Sequence, residues 1–542
     1  MNTPASAKLQ PSGAAVAIAS RTPWERARTR EAALLGLILG LGALLRLATL
    51  GHHSLWLDEG LSYWIANRPL DGLLDYLARR DTHPPLHYLV LQAMIALGGS
   101  EWLLRLPSAL AGIGAIALLY ALGKEVFDAR TGLLAAFILA VSPLHLWHAQ
   151  EARMYALVAT LALAATLCAA RALRTGRLLD WAGLIACQAL ALWTNTAAIW
   201  FTFALNAAAL LLLVTLRRRG RLWPWLASQA LAVGLWLPWL PVFLKQIQVS
   251  GSANTWIAPA TFGQVALTIA GFVSQGGPRW VAWLALALLL ALLAAGGRAL
   301  LADARAGRER SVLLLCLLIV PVGLAFLISQ PYVSIPGLAL LFRPGNSIFL
   351  TRNLIVATFP LYLLLARGLI LTWEAGEQRS KGAAEQRRPF VAPLLPRALA
   401  PLLLVALLAL NAISYQASLL AGSQEDWRAA AALVAGQATA ADAVILAPSY
   451  LQAPFAYYYA RRGGAGVVRG YPHDDVAVAG ETPGYATPAA AAGAARRVWL
   501  VTSPLHERNP AVDAIVASLG RPAASMPGTG ILVRVYERGE EQ

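Results

Sequence analysis

Leu55-Trp56-Leu57-Asp58-Glu59-Gly60, Asp81-Thr82-His83-Pro84-Pro85 and Arg105-Leu106-Pro107 all fall in one stretch, between a long apolar run at 32–50 and a second that begins near residue 102. Adjacent carboxylates, a histidine and an arginine therefore collect at one edge of apolar sequence. Ionisable groups beside a bilayer are costly unless they are solvated, paired or used. The stretch reads as a chemical site at a membrane boundary, and the chain around it as a membrane protein.

Composition supports this. The 542 residues are 58% hydrophobic and only 13% charged, against roughly 25% charged in an ordinary soluble domain, and the mean hydropathy is +0.57. Cys168, Cys187 and Cys316 lie inside apolar runs and read as packing residues, which argues against a disulfide framework. The net charge of +16 comes from short arginine clusters between apolar runs. That is the pattern of membrane orientation, and no nucleic-acid partner is expected.

Arg21, Arg26, Arg28 and Arg30 sit in a tail, residues 1–30, expected to be cytoplasmic. The run at 32–50 is long enough to span, so it is expected to be an uncleaved anchor. Ten more spans are predicted, at about 102–122, 131–148, 153–172, 180–197, 199–216, 222–244, 280–300, 311–329, 350–372 and 392–414. The runs at 86–97 and 262–273 are too short to cross and are expected to lie in the interface. With that choice the clusters around Arg171, Arg217–Arg221, Arg298–Arg310 and Arg379–Arg388 all fall on the cytoplasmic side, which selects eleven spans. Residues 31–421 then form a transmembrane domain with an outer loop at 51–101. Residues 422–542, where helical and extended signals alternate, form a small outer α/β domain with strands near 443–447, 498–502 and 531–536.

Asp58 is the candidate proton acceptor of the outer loop, although an Asp-Glu pair also suits the start of a surface helix. His83 beside two prolines is open to the same two readings, site or local cap. A second polar turn, Ser142-Pro143 through Gln150-Glu151-Ala152-Arg153-Met154-Tyr155, is expected on the same membrane face. His145, His148 and Glu151 within it have metal-ligand spacing, but two interfacial histidines explain them as well.

Together, Asp58-Glu59, His83-Pro84-Pro85-Leu86, Arg105-Leu106-Pro107 and Gln150-Glu151-Ala152-Arg153-Met154-Tyr155 resemble the GT-C glycosyltransferases of glycosyltransferase family 39, the relatives of protein O-mannosyltransferases and aminoarabinose transferases. Thr351-Arg352-Asn353 and Glu425-Asp426-Trp427-Arg428 add to the likeness, whereas Trp193-Thr194-Asn195 departs from the Tyr-Thr-His of relatives. The resemblance implies a polytopic α-helical enzyme of the bacterial inner membrane that moves a sugar, with inversion, from a polyprenyl-phosphate donor to an acceptor hydroxyl at the outer face. It implies Asp58 as base with Glu59 in support, and His83, Arg105, Gln150, Glu151, Arg153, Tyr155 and Arg352 in substrate binding. Arginine suits a departing phosphate because its fork donates bidentately and stays charged. No cofactor is expected; a divalent metal is left open and disfavoured, since no Asp-x-Asp triplet occurs. The rival classes are a transporter, a flippase for lipid-linked glycans and a glycan ligase.

Overall fold

The structure is a computed structural model and describes residues 23–215, 219–253, 257, 259–275, 278–302, 305–330, 347–385, 394–421, 425–473, 484–504, 507–527 and 530–538. Arg217, Arg218, Arg387 and Arg388 of the arginine clusters lie outside them.

The apolar runs fold as helices. They begin with α1 (Pro23–Leu47), α2 (Leu57–Ala66), α3 (Leu70–Arg79), α4 (Leu86–Ala96), α5 (Glu101–Val126), α6 (Ala129–Ala140), α7 (Pro143–Ala149) and α8 (Tyr155–Thr175). There follow α9 (Leu178–Thr194), α10 (Ala198–Thr215), α11 (Leu222–Trp236), α12 (Leu240–Ala253), α13 (Phe262–Gly271), α14 (Arg279–Ala302), α15 (Arg305–Ile328), α16 (Thr358–Glu385) and α17 (Leu394–Ala421). Short-range signals set the ends of several. Gly98 and Gly99 adopt positive φ in the turn before α5, where a side chain would be strained, and the Ser100 hydroxyl then accepts from Leu103 N at 3.3 Å as the N-cap.

Among the described residues four helices are long and apolar enough to cross a membrane: Glu101–Val126, Tyr155–Thr175, Leu222–Gln246 and Thr351–Gln378. The bent pair Ala129–Ala140 and Pro143–Ala149 makes a fifth if it is one span. Other apolar helices among the described residues, such as Leu178–Thr194, are shorter. The run predicted as one span at 131–148 turns by 62° between α6 and α7. Pro143 cannot donate to the preceding turn, and Ser142 before it is extended. Arg46, fully buried, caps the broken end: its guanidinium donates to Leu139 O at 3.2 Å and Ala140 O at 3.0 Å.

Beyond the helical bundle, α18 (Trp427–Gln437), β1 (Ala443–Leu446), α19 (Gln452–Arg461), β2 (Val467–Gly470), α20 (Pro488–Ala492), β3 (Arg497–Thr502), α21 (Pro510–Leu519), β4 (Ala524–Pro527) and β5 (Leu532–Glu537) form an α/β unit. Its five-stranded sheet has the order β2-β1-β3-β5-β4, with β1 parallel to β2 and β3, and β5 antiparallel to β3 and β4. The unit shares a core with residues 55–104: Leu55, Leu73, Leu77 and Tyr88 pack in one cluster with Trp427, Phe455, Tyr459 and Trp499. Polar contacts reinforce the junction. Arg428 pairs with Glu101 at 2.7 Å, Tyr458 OH bonds Glu101 and accepts from Leu55 N, and Ser54 Oγ donates to Glu425 O at 2.7 Å.

Candidate active site

α2 begins at Leu57, so Asp58 and Glu59 occupy its first turn. Successive helical residues point about 100° apart, and here that separation divides the two carboxylates between surface and interior. Glu59 is fully buried. Its Oε1 accepts from Arg105 Nε at 2.8 Å and Ala152 N at 2.7 Å, and its Oε2 from Arg105 Nη2 at 2.6 Å and Trp56 N at 3.2 Å. Arg105 also donates to the carbonyls of Leu50, His53 and Ser54 at 2.8–3.0 Å. All five guanidinium N–H groups are thereby used. The pair stitches the 50–59 loop to α5 and to the turn before α8.

Asp58 faces outward, its side chain 22% exposed. Arg352, from the short 3-10 helix Thr351–Ala357, donates from Nη1 to Asp58 Oδ2 at 3.3 Å. Arg153 Nη2 lies 3.7 Å from the same oxygen, while its Nη1 donates to Asp58 O at 3.3 Å and Ser62 Oγ at 2.8 Å. The two guanidinium carbons stand 5.8 and 5.7 Å from the centre of the Tyr155 ring, within cation–π range. Burial works against the Arg153 charge, but Asp58 and the tyrosines Tyr155 and Tyr88 outweigh it and hold the guanidinium above its ordinary pKa. Three parts of the chain thus bring one part-exposed carboxylate and two cations to one place.

Beside this centre lies a carboxylate that the sequence reading passed over. Asp81 Oδ1 accepts from His83 Nδ1 at 2.8 Å, and Oδ2 from Tyr88 OH at 2.5 Å. Burial opposes the Asp81 charge, yet His83, Tyr88 and the Thr82 amide prevail and bring its pKa down to about 2. The signal was present as Asp-x-His before two prolines, the spacing of a turn in which the aspartate bonds the residues after it. His87, in the first turn of α4, bonds Ala152 O at 3.1 Å.

The remaining candidates of the second turn face inward. The Gln150 amide donates to Leu45 O at 2.9 Å and Thr49 Oγ1 at 2.8 Å, closing the end of α1. Glu151 Oε2 bonds His148 Nδ1 at 2.9 Å, and the His148 ring packs 5.0 Å from that of Tyr155. His145 bonds Thr358 Oγ1 at 2.8 Å. Among the described residues no three His, Cys, Asp or Glu side chains gather as a metal site.

Residues 82–241 match the model of the dolichyl-phosphate-mannose-protein mannosyltransferase family. Over 98 residues the chain is 35% identical to YkcB of Bacillus subtilis (strain 168), a candidate mannosyltransferase by name. That match takes in 18% of this chain and 14% of YkcB. Two crystal structures of ArnT from Cupriavidus metallidurans share the architecture over nearly the whole chain. The apo form has a TM-score of 0.52 at 14% identity, covering 94% of this chain and 98% of ArnT. The form bound to undecaprenyl phosphate has a TM-score of 0.50 at 12% identity, covering 92% and 97%. The chain has the fold of ArnT. The family match includes His83, Arg105 and Arg153 to Tyr155, while Asp58 and Arg352 lie outside it.

Proposed function

We propose that the chain is a membrane glycosyltransferase that takes a sugar from a polyprenyl-phosphate carrier and transfers it to an acceptor hydroxyl. The observation that carries this reading is the Asp58 carboxylate set between Arg153 and Arg352 at the edge of the bundle. One displacement accounts for the chemistry. The acceptor oxygen attacks the anomeric carbon as its proton passes to Asp58, and the bond from that carbon to the phosphate oxygen breaks. The configuration inverts, and the two guanidiniums hold the negative charge of the departing polyprenyl phosphate. The ArnT fold and the undecaprenyl phosphate carried by one ArnT structure support a lipid phosphate as the leaving group. The arginine clusters support a bacterial cell membrane with the N-terminus inside and the Asp58 loop and α/β unit outside.

Asp58→Asn should lower turnover by about 10² to 10⁴ while donor affinity is retained. Arg153→Ala and Arg352→Ala should weaken donor binding, with incomplete rescue by Lys, which lacks the fork. Turnover and affinity measured in nanodiscs with a panel of polyprenyl-phosphate sugars test both. Near-normal turnover of folded Asp58→Asn would move the base elsewhere.

A further inference from the structure

The helices that carry the site also build a second feature at their far ends. An apolar cavity of about 220 Å³ opens between α5, α8, α10, α11 and α15, lined by Leu122, Val126, Leu173, Leu213, Trp225 and Leu314 among others. It lies some 20 residues along α5 from Arg105 and along α8 from Arg153, a separation of about 30 Å, which is the thickness of a bilayer core. Its mouth is basic. Arg174 grips Glu125 through Nε at 2.5 Å and Nη2 at 3.2 Å, and Arg171 stands 3.8 Å from the same carboxylate. Arg310 lies on the opposite lip, donating to Val126 O at 2.7 Å. Two guanidiniums thus attend the Glu125 carboxylate, and a third, that of Arg310, faces them across the mouth. A smaller cavity shares Leu122, Thr166 and Leu314 with the first and reaches Val356, Phe359 and Pro360. Val356 belongs to the short helix that carries Arg352.

We infer that this cavity is a binding site for an anionic phospholipid of the leaflet opposite the Asp58 site. Its apolar walls take an acyl chain, and its basic mouth takes the phosphate. A zwitterionic lipid presents a choline or ethanolamine cation to the same arginines and is disfavoured by repulsion. The chain end lies against residues that support the Arg352 helix, so the lipid steadies one wall of the site from behind.

The full-length protein in detergent, titrated with phosphatidylglycerol, phosphatidylcholine or undecaprenyl phosphate and followed by native mass spectrometry and by melting temperature, tests this. Phosphatidylglycerol should remain bound at least fivefold more than phosphatidylcholine and should raise the melting temperature. Ala209→Phe, which fills the cavity, and Arg310→Gln, at its rim, should each abolish the preference. Arg310→Gln touches only the mouth and serves if the core variant does not fold. Equal retention of the two phospholipids, or an unchanged preference in Arg310→Gln, overturns the site. So does undecaprenyl phosphate as the sole ligand lost in both variants. Because binding is read without turnover, these outcomes are separate from those that test the role of Asp58.

Discussion

Arg105 and Arg153 carry the same charge and both bond α2, yet their surroundings assign them different work. Arg105→Ala leaves Glu59 buried without its cation, and removing one partner of such a pair costs about 3 to 5 kcal/mol. It should therefore lower the melting temperature sharply and lose activity through misfolding. Arg153→Ala should keep more of the fold and lose donor affinity. Melting curves beside donor titrations distinguish the two, and a stable, donor-deficient Arg105→Ala would return Arg105 to the binding site. The distinction was not legible in the sequence, because the Glu59–Arg105 pair spans 46 positions and no local pattern marks which arginine an inward carboxylate will meet. The inequality of Asp58 and Glu59 was legible, since helical geometry separates adjacent side chains.

At the level of elements, α2 and α4 hold the site against the α/β unit. A Cβ at Gly60 would stand 2.6 Å from the backbone of Pro454 in α19, closer than packed atoms come. Gly60→Ala should cost about 1 to 3 kcal/mol and displace the turn that presents Asp58, seen as a lower melting temperature together with lower turnover; a variant with wild-type values for both would show that the contact gives way freely. In α4, burial is the largest cause depressing the His87 pKa from 6.5 to about 3. The unfolded chain binds this proton below 6.5 and the folded one does not. The stability contributed is therefore complete above pH 6.5 and falls as the pH drops towards 3. Melting temperatures from pH 7 to pH 4 should decline less steeply in His87→Asn than in the parent. The short length of α4 was readable from its apolar run. The break between α6 and α7 was not taken up, because the hydropathy stays high across it and only Pro143 marks it.

For the whole molecule, orientation rests on the arginine clusters. Single cysteines placed at Gly220 and Gly493 and probed on intact cells with an impermeant reagent should label only at 493; labelling at 220 would invert every loop. Helix positions were largely legible because apolar runs and helices coincide, as at Glu101–Val126 and Tyr155–Thr175. The docking of the α/β unit was not. Arg428 meets Glu101 across 327 positions, and such partners share nothing that neighbouring residues announce.

That docking also sets an order in time. Leu55 N is held by Tyr458, and Gly60 abuts Pro454, so a loop made near the start of synthesis waits for a helix made near its end. A ribosome stalled before residue 427 would leave its apolar helices inserted beside an Asp58 loop without its supports. Such an incomplete chain would sit in the bilayer with the turn that presents Asp58 unsupported.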